Sequence, residues 1–164
     1  MAEQPLIESR ILWDNGATQV IYQAQTLHEH QSEYQRIEVV LNDNWGKMLL
    51  LDDEPQLSDK DIHSIHESLT HPAAIFHRNL RDVLIVGGGD GGTATELLKY
   101  QSVESITVVE IDPDVNKVVR QYWPEIGNSF DDPRVTVLTA DAIDFLKLCS
   151  PHSYDLVVLD IPGT

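Results

Sequence analysis

The sequence predicts an α/β protein in which a small N-terminal antiparallel β unit precedes a parallel, doubly wound sheet. One observation is a change near Arg81: short β-rich segments come before it, and apolar strands alternate with helices after it. Another is the composition, with 41% hydrophobic and 23% charged residues over 164 residues, which suffices for a core of ordinary size. Disordered and disulfide-stapled classes are therefore excluded.

The N-terminal unit is predicted from three short segments rich in β-forming residues, at 20–22, 37–41 and 48–51. Turn residues from Asn42 to Gly46 separate the last two segments and predict a hairpin. A helix capped by Ser58 or Asp59 should follow, and Pro72 should either interrupt this helix or lie near its end. We therefore expect a β-domain over residues 1–57 and a second domain over residues 58–164.

Four apolar strands and three helices are predicted to alternate in the second domain. The strands are 83–86, 106–109, 135–138 and 156–159, and the helices are 93–100, 112–122 and 142–148. This alternation is typical of a parallel sheet with helices on its faces. In the usual strand order the fourth strand is an exposed apolar edge, so the sheet is expected to be incomplete at its C-terminal end. The exposed edge is explained by a truncated chain, by a cleaved product or by an assembly in which another chain covers it, and we expect a homo-oligomer.

The charge balance restricts the partners. Eleven Lys and Arg residues against 27 Asp and Glu residues give a net charge of −16, which disfavours binding to nucleic acid or anionic lipid and favours a cationic ligand. The only cysteine, Cys149, cannot form an internal disulfide, and no apolar run approaches the ~20 residues that span a bilayer. Residues 1–11 lack the pattern of a secretory signal. We expect a cytoplasmic protein without membrane or nucleic-acid partners.

A glycine-rich loop predicts a nucleoside site. Gly87, Gly89 and Gly92 satisfy the pattern G-x-G-x-x-G between a strand and a helix, the context that gives this pattern meaning. Glu110 ends the next strand, where a carboxylate can accept hydrogen bonds from both hydroxyls of an adenosine ribose. The alternative is that Glu110 is simply a solvated carboxylate at a strand end.

The charge of this loop argues against a dinucleotide. Asp90 lies inside the loop, where a pyrophosphate would be bound, and two like charges at ~5 Å in an effective dielectric of ~20 repel by about 3 kcal/mol. One acidic residue follows each of the four strands: Asp90, Glu110, Asp141 and Asp160. Each alone could be solvated, and Asp141 could be a helix cap. Together they indicate an adenosine with a cationic tail, and an amine as second substrate.

Four sequence segments carry a resemblance to a known family. They are GGGDGG at 87–92, VVEID at 108–112, DDPR at 131–134 and DA at 141–142. With this spacing the chain resembles the polyamine aminopropyltransferases, whose best-known members are spermidine synthases. Further landmarks match in order: Tyr34-Gln35, Leu51-Asp52 with Gln56, and His66-Glu67.

The resemblance implies an N-terminal β-domain and a Rossmann-like, methyltransferase-type catalytic domain. It also implies decarboxylated S-adenosylmethionine as co-substrate, a di- or polyamine as acceptor, and no tightly bound cofactor. The implied donor contacts are Gln35 and His66 to the tail, Asp90 to its amine, the loop glycines Gly87, Gly89 and Gly92, Glu110 to the ribose, and Asp141 with Ala142 to the adenine. Asp160 would be the catalytic carboxylate and, with Gln56, would bind the acceptor.

The implied role of Asp160 is chemically reasonable. A sulfonium is already an excellent leaving group, so the enzyme mainly has to align a neutral amine behind the reacting methylene. An alkylammonium with a pKa near ~10.4 is neutral at pH 7 only at a cost of about 4.6 kcal/mol, and a carboxylate can take its proton. The alternative is that Asp160 merely ends a strand before Pro162.

Two positions depart from the family pattern, and both lie on the acceptor side. Gly163 stands where the family has a second acidic residue, and Ile65 stands where a tyrosine commonly precedes the His-Glu pair. Two alternative functions therefore stay open: methyl transfer from S-adenosylmethionine, and a non-catalytic donor-binding or oligomerisation module that lost the acceptor site.

The predicted helix after residue 59 carries four candidate metal ligands, His63, His66, Glu67 and His71. Residues three and four apart share a helix face, as metal ligands often do. The order H-x-x-H-E, however, matches neither H-E-x-x-H nor H-x-x-E-H. The sequence therefore predicts no metal.

Overall fold

The structure is a computed structural model that describes residues 7–14 and 19–161, with side chains from residue 23 onward. The chain divides into two compact units, Met1–Ile62 and His63–Thr164. The predicted domain boundary between residues 57 and 58 stays a prediction. Within the described part of the chain, every helix is too short or too polar to cross a membrane.

The first unit is a five-stranded antiparallel sheet whose strands lie in sequence order. They are β1 Ile7–Asp14, β2 Gln19–Gln31, β3 Arg36–Asn42, β4 Gly46–Leu51 and β5 Glu54–Ser58. The predicted hairpin joins β3 to β4 and is closed by Asn42, whose Oδ1 accepts hydrogen bonds from the backbone N–H groups of Asn44 (2.8 Å) and Trp45 (3.1 Å). The antiparallel unit is thus confirmed, although β1 and β5 were not predicted.

Within its described residues, the second unit contains five α-helices, one 3₁₀ helix and a parallel sheet. The elements in chain order are α1 Ile62–Phe76, β6 Asp82–Gly87, α2 Gly92–Leu97, β7 Ser105–Glu110, α3 Pro113–Tyr122, α4 Pro124–Gly127, a 3₁₀ helix Asn128–Asp131, β8 Val135–Thr139, α5 Ala142–Leu148 and β9 Leu156–Asp160. The sheet order is β8-β7-β6-β9, and all its neighbouring strands are parallel. All four predicted strands are present, and the α/β fold class is confirmed.

The register of the parallel sheet brings the carboxyl ends of the strands together. Gly87 of β6 pairs with Asp160 of β9, and Glu110 of β7 pairs with Thr139 of β8. One face is packed by a buried cluster that includes Ile85, Val108 and Leu97 of α2, and the other by Leu84, Val86 and Val109 with α5. The hydrophobic layers on both faces hold the strands in register and thereby fix the rim where the strands end.

Two predicted helix boundaries, the start of α1 and the end of α2, need correction. Helix α1 begins at Ile62, so neither Ser58 nor Asp59 caps it; instead the Asp61 carboxylate accepts hydrogen bonds from Ser58 N (2.8 Å) and Ser58 Oγ (2.7 Å). Pro72 lies inside α1, near the end of this helix at Phe76, as one of the two alternatives predicted. Helix α2 ends at Leu97, three residues early, because the backbone there tightens into turns with bonds from residue i to i−3.

Strand β9 lies at one edge of the parallel sheet, as its place in the chain predicted. Its side chains Val157 and Leu159 are 47% and 60% exposed, while Val158, which points to the opposite face, is buried. Among the described residues, β9 therefore forms an apolar edge.

Candidate functional site

The loop between β6 and α2 lies at the rim where β6, β7 and β9 end. The backbone N–H of Gly88 donates to the carbonyl of Asp160 over 2.8 Å, and Gly91 N–H donates to the carbonyl of Gly88 over 3.0 Å. The Asn116 side chain donates to the Gly89 carbonyl over 2.6 Å, and the Ser129 hydroxyl donates to the Gly91 carbonyl over 3.1 Å. The loop is therefore fixed from several sides before any ligand binds.

Asp90 projects from this loop and is held through both carboxylate oxygens. Its Oδ1 accepts a hydrogen bond from Gly92 N–H (2.8 Å), and its Oδ2 lies 3.1 Å from Nε2 of His66 on α1. The His66 side chain is only 3% exposed and that of Asp90 is 14% exposed. An ionised carboxylate can only accept, so the His66 tautomer that fits this contact carries its proton on Nε2.

Asp160 faces the same place from the end of β9. One ligand atom from each of His66, Asp90 and Asp160 lies within 4.8 Å of the others. Burial, and then the charge of Asp90, raise the pKa of Asp160 from 3.8 to about 6, although a hydrogen bond from Thr93 and the nearby His66 act in the opposite direction. Two carboxylates share a small, partly dry space, which favours a bound cation or a retained proton.

Glu110 is buried at the end of β7, directly below the glycine loop. Its Oε2 accepts a hydrogen bond from Gly89 N–H (3.0 Å), and its Oε1 accepts one from Asp112 N–H (2.9 Å). Burial raises the pKa of Glu110, and these two backbone N–H groups partly counteract the rise. The backbone N–H of Ile111 also stabilises the ionised carboxylate, and the remaining lone pairs of Glu110 can accept further hydrogen bonds.

Close approaches explain the three predicted glycines. A Cβ at Gly87 would overlap the Asp160 carbonyl, and one at Gly89 would lie 2.6 Å from Oε2 of Glu110. A Cβ at Gly92 would overlap the imidazole of His66. Each glycine of the motif therefore makes room for a predicted site residue.

Asp141 and Ala142 lie at the start of α5, beside the end of β7. The Asp141 carboxylate caps α5 by accepting hydrogen bonds from Ile143 N–H (2.7 Å) and Asp144 N–H (3.3 Å), and it is exposed. The neighbouring Ala140 N–H donates to the Glu110 carbonyl over 3.1 Å, which ties this corner to β7. Ala142 packs against the cluster of Leu84, Val86 and Val109. The alternative that Asp141 is a helix cap is therefore correct, and its role toward a ligand stays a prediction.

Gln35 and Gln56 belong to the first unit, and their predicted ligand contacts stay predictions. The backbone of Gln35 is held in a turn by Ser32, whose Oγ accepts from Gln35 N–H over 3.0 Å. Gln56 lies in β5 and its amide donates to the carbonyl of Glu54 over 3.0 Å. Of the two departures from the family pattern, Ile65 is exposed on α1, and Gly163 lies outside the described residues.

The structure places the candidate metal ligands of α1 in two separate groups. His66 joins Asp90 and Asp160, whereas Glu67 and His71 lie with Glu96 of α2. The His71 ring contacts Glu96 through Nε2 (3.0 Å) and the Tyr100 hydroxyl through Nδ1 (2.8 Å). The expectation that this helix holds no metal stays a prediction.

Sequence reasoning missed three side chains that build the site: Thr93, Asn116 and Ser129. Thr93 directly follows the glycine pattern in the first turn of α2, and this position was the available signal. Asn116 and Ser129 reach the loop only through the packing of α3 and the 3₁₀ helix, so no local pattern marks them.

Two family models match this chain. The spermine/spermidine synthase domain matches residues 62–163, and the spermidine synthase tetramerisation domain matches residues 14–59. The parallel-sheet unit, with its glycine loop and acidic rim, thus lies within the first match.

Known proteins agree with the family models. The polyamine aminopropyltransferases of Hydrogenobaculum sp. and Thermococcus onnurineus are both 40% identical over 134 residues, which are 82% of this chain and 48% and 47% of those proteins. The spermidine synthase of Thermotoga maritima matches with a TM-score of 0.87 and 29% identity, over 96% of this chain and 58% of that one.

A spermidine synthase solved in complex with the transition state analogue AdoDATO matches with a TM-score of 0.89 and 28% identity, over 98% of this chain and 57% of that one. The chain spans about half the length of the curated relatives it matches. The sequence resemblance is confirmed by these matches, and the chain belongs to the spermine/spermidine synthase family.

Proposed function

We propose that this chain supplies the donor-binding site and the catalytic carboxylate of a polyamine aminopropyltransferase. In this reaction an amine attacks the aminopropyl carbon of decarboxylated S-adenosylmethionine, the carbon–sulfur bond breaks, and methylthioadenosine leaves. The observation that carries the proposal is the meeting of His66, Asp90 and Asp160 within 4.8 Å at the glycine loop.

The donor is proposed to lie along the rim of the parallel sheet. Glu110, already oriented by two backbone N–H groups, accepts the two ribose hydroxyls. Asp90 binds the amine of the aminopropyl tail with help from His66, and Asp141 with Ala142 binds the adenine. Gln35 also contacts the tail, while Gly87, Gly89 and Gly92 keep the loop close to the ligand.

Asp160 is proposed to accept the proton of the attacking amine, and Gln56 to help bind that amine. A carboxyl group whose pKa is raised to about 6 is a stronger base than an ordinary aspartate, yet it is still ionised at neutral pH. The sulfonium is already an excellent leaving group, so the enzyme has only to position the amine and remove its proton. The reaction requires no tightly bound cofactor.

The assembly and setting follow from the same proposal. The match to a tetramerisation domain supports a homo-oligomer built through the antiparallel unit. The net charge of −16 supports cationic small molecules as ligands and disfavours nucleic acid. We also propose a cytoplasmic location, with which the single cysteine, Cys149, is compatible.

Calorimetry of donor binding tests the proposal. Decarboxylated S-adenosylmethionine should bind about tenfold or more tightly than S-adenosylmethionine, because the extra carboxylate of the latter is repelled by Asp90. Glu110→Gln should weaken binding by about tenfold or more, since a hydrogen bond to a charged group contributes roughly 1.5–3 kcal/mol. Glu104→Gln is the matched control, because Glu104 precedes the opposite end of the same strand and is exposed.

Methylthioadenosine release then separates the remaining functions. Putrescine, spermidine and agmatine should be tried as acceptors with the donor at saturation. Product release supports aminopropyl transfer. Confirmed donor binding without product would instead favour a donor-binding module, and full affinity in Glu110→Gln would reject the ribose contact.

A further inference from the structure

Thr93 touches the proposed catalytic carboxylate and has no assigned role. It lies in the first turn of α2, its side chain is completely buried, and its Oγ1 donates a hydrogen bond to Oδ2 of Asp160 over 2.7 Å. Among the described residues this contact joins α2 directly to the end of β9. The other threonine of α2, Thr95, instead donates a hydrogen bond to the loop, at the carbonyl of Gly91.

We propose that Thr93 is a positioning residue that holds one oxygen of the Asp160 carboxylate and leaves the other for the attacking amine. The proposal rests on the function proposed above and assigns Thr93 a part in it. A threonine hydroxyl suits the task because its β-branched side chain has few rotamers inside a helix and is stiff once buried.

The position of Asp160 explains why such a contact is needed. Asp160 ends an edge strand, and its backbone carbonyl is bound by Gly88 N–H, but this leaves the side-chain torsions free. Two titratable groups face the carboxylate: Asp90, which repels it, and His66. Thr93 is the neutral donor that opposes the repulsion and keeps Asp160 from turning away from Asp90.

The hydrogen bond from Thr93 also affects the pKa of Asp160. A donor to the charged form of a carboxyl group stabilises that form, so Thr93 lowers the pKa of Asp160 while burial and Asp90 raise it. Loss of the hydroxyl should therefore raise the pKa further and leave less ionised base at neutral pH. A role confined to packing would leave this titration unchanged.

The test is a ¹³C NMR titration of the Asp160 carboxyl in the full chain, with the signal assigned from Asp160→Asn. In Thr93→Val, which keeps the shape but lacks the hydroxyl, the midpoint should rise by about one pH unit, a tenfold change in proton affinity. In Thr93→Ser, which keeps the donor, it should stay within a few tenths of a unit. If Thr93→Val does not fold, Thr93→Ala replaces it, with the same expected rise.

Thr70→Val is the matched control. Thr70 is also completely buried in a helix of the same unit, but its hydroxyl has no hydrogen-bond partner among the described residues. The Asp160 titration should not change in this variant.

An unchanged midpoint in folded Thr93→Val, or an equal rise in Thr93→Ser, would overturn the proposal. The titration needs neither donor nor turnover, so its failure is distinguishable from failure of the proposed reaction. Where turnover is measured, the acidic limb of the kcat/KM profile should move to higher pH in Thr93→Val by the same amount and should stay in place in Thr93→Ser.

Discussion

Replacing Asp160 by asparagine should stabilise the folded chain at neutral pH. The pKa of Asp160 is about 6 in the folded state, against 3.8 for an ordinary aspartate. Above pH 6 the folded protein therefore contains an ionised carboxylate that burial and the charge of Asp90 destabilise. Asparagine has nearly the same shape, can accept the hydrogen bond from Thr93, and carries no charge.

The magnitude follows from the two pKa values. The difference, 6 − 3.8 = 2.2 units, corresponds to about 3 kcal/mol at 1.36 kcal/mol per unit. Between pH 3.8 and 6 the folded state binds this proton and the unfolded state does not, so the free energy of unfolding falls as the pH rises. Below pH 3.8 the two states bind it equally, and above pH 6 the loss is complete. This value is an upper limit for Asp160→Asn, because the new amide also needs partners.

Urea denaturation followed by circular dichroism, at several pH values between 4 and 7.5, measures this effect. The difference in unfolding free energy between Asp160→Asn and the parent should be small near pH 4, grow to about 2–3 kcal/mol by pH 6.5, and then stay level. Taking the difference between the two proteins removes the contribution of the titrating groups that do not interact with Asp160.

Asp155→Asn provides a control of opposite sign. The backbone N–H groups of Asp82 and Arg81 hydrogen-bond to the Asp155 carboxylate and lower its pKa. This variant should be less stable than the parent at neutral pH, and the difference should shrink only as the pH falls through the native pKa, below the usual aspartate value. A pH-independent difference for Asp160→Asn, or destabilisation at pH 7, would refute the claim that the rim holds a strained negative charge.

Two further variants test the packing of the site. Gly92→Ala should lower the free energy of unfolding by about 1–3 kcal/mol, because the new Cβ overlaps the His66 ring. In a His66→Ala background this loss should be smaller by about 1 kcal/mol or more. Equal losses in the two backgrounds, measured by denaturation, would contradict this contact. Asp141→Ala should lower the stability by about 1 kcal/mol through loss of the α5 cap, whereas Asp141→Asn should retain most of it; equal thermal shifts in the two variants would show that capping is not the cause.

The parallel sheet could be predicted because each of its strands is a short apolar run that is recognisable in the sequence. Runs such as residues 83–86 and 106–109 are apolar and β-branched, as strands buried on both faces must be. Strand β5 could not be predicted in this way, because it begins Glu54-Pro55 and resembles a turn. Proline is tolerated there because β5 is an edge strand. Strand β1 was not predicted either.

The acidic residues of the site could be predicted because strand ends in a parallel sheet meet at one rim. Asp90, Glu110 and Asp160 all reach the glycine loop, as expected. Thr93 could not be assigned from sequence, because its contact with Asp160 joins residues 67 positions apart and depends on the side-chain torsions of both. The local sequence pattern thus predicted where the acidic residues lie. The hydrogen-bond partners of each carboxylate are visible only in the folded structure.

The glycine loop also explains how a pattern associated with phosphate binding can serve a cation. In a nucleotide site, free backbone N–H groups at the start of the helix bind the phosphate. Here the N–H of Gly92 is already bound by the carboxylate of Asp90, and the N–H of Gly89 is bound by Glu110. The two carboxylates occupy donors that would otherwise be available to an anion, and in the proposed function their remaining lone pairs are the acceptors for the cationic ligand. The same backbone turn therefore presents negative charge instead of N–H groups, and we expect the acidic residues Asp90 and Glu110, rather than the glycine spacing, to decide which ligand the loop accepts.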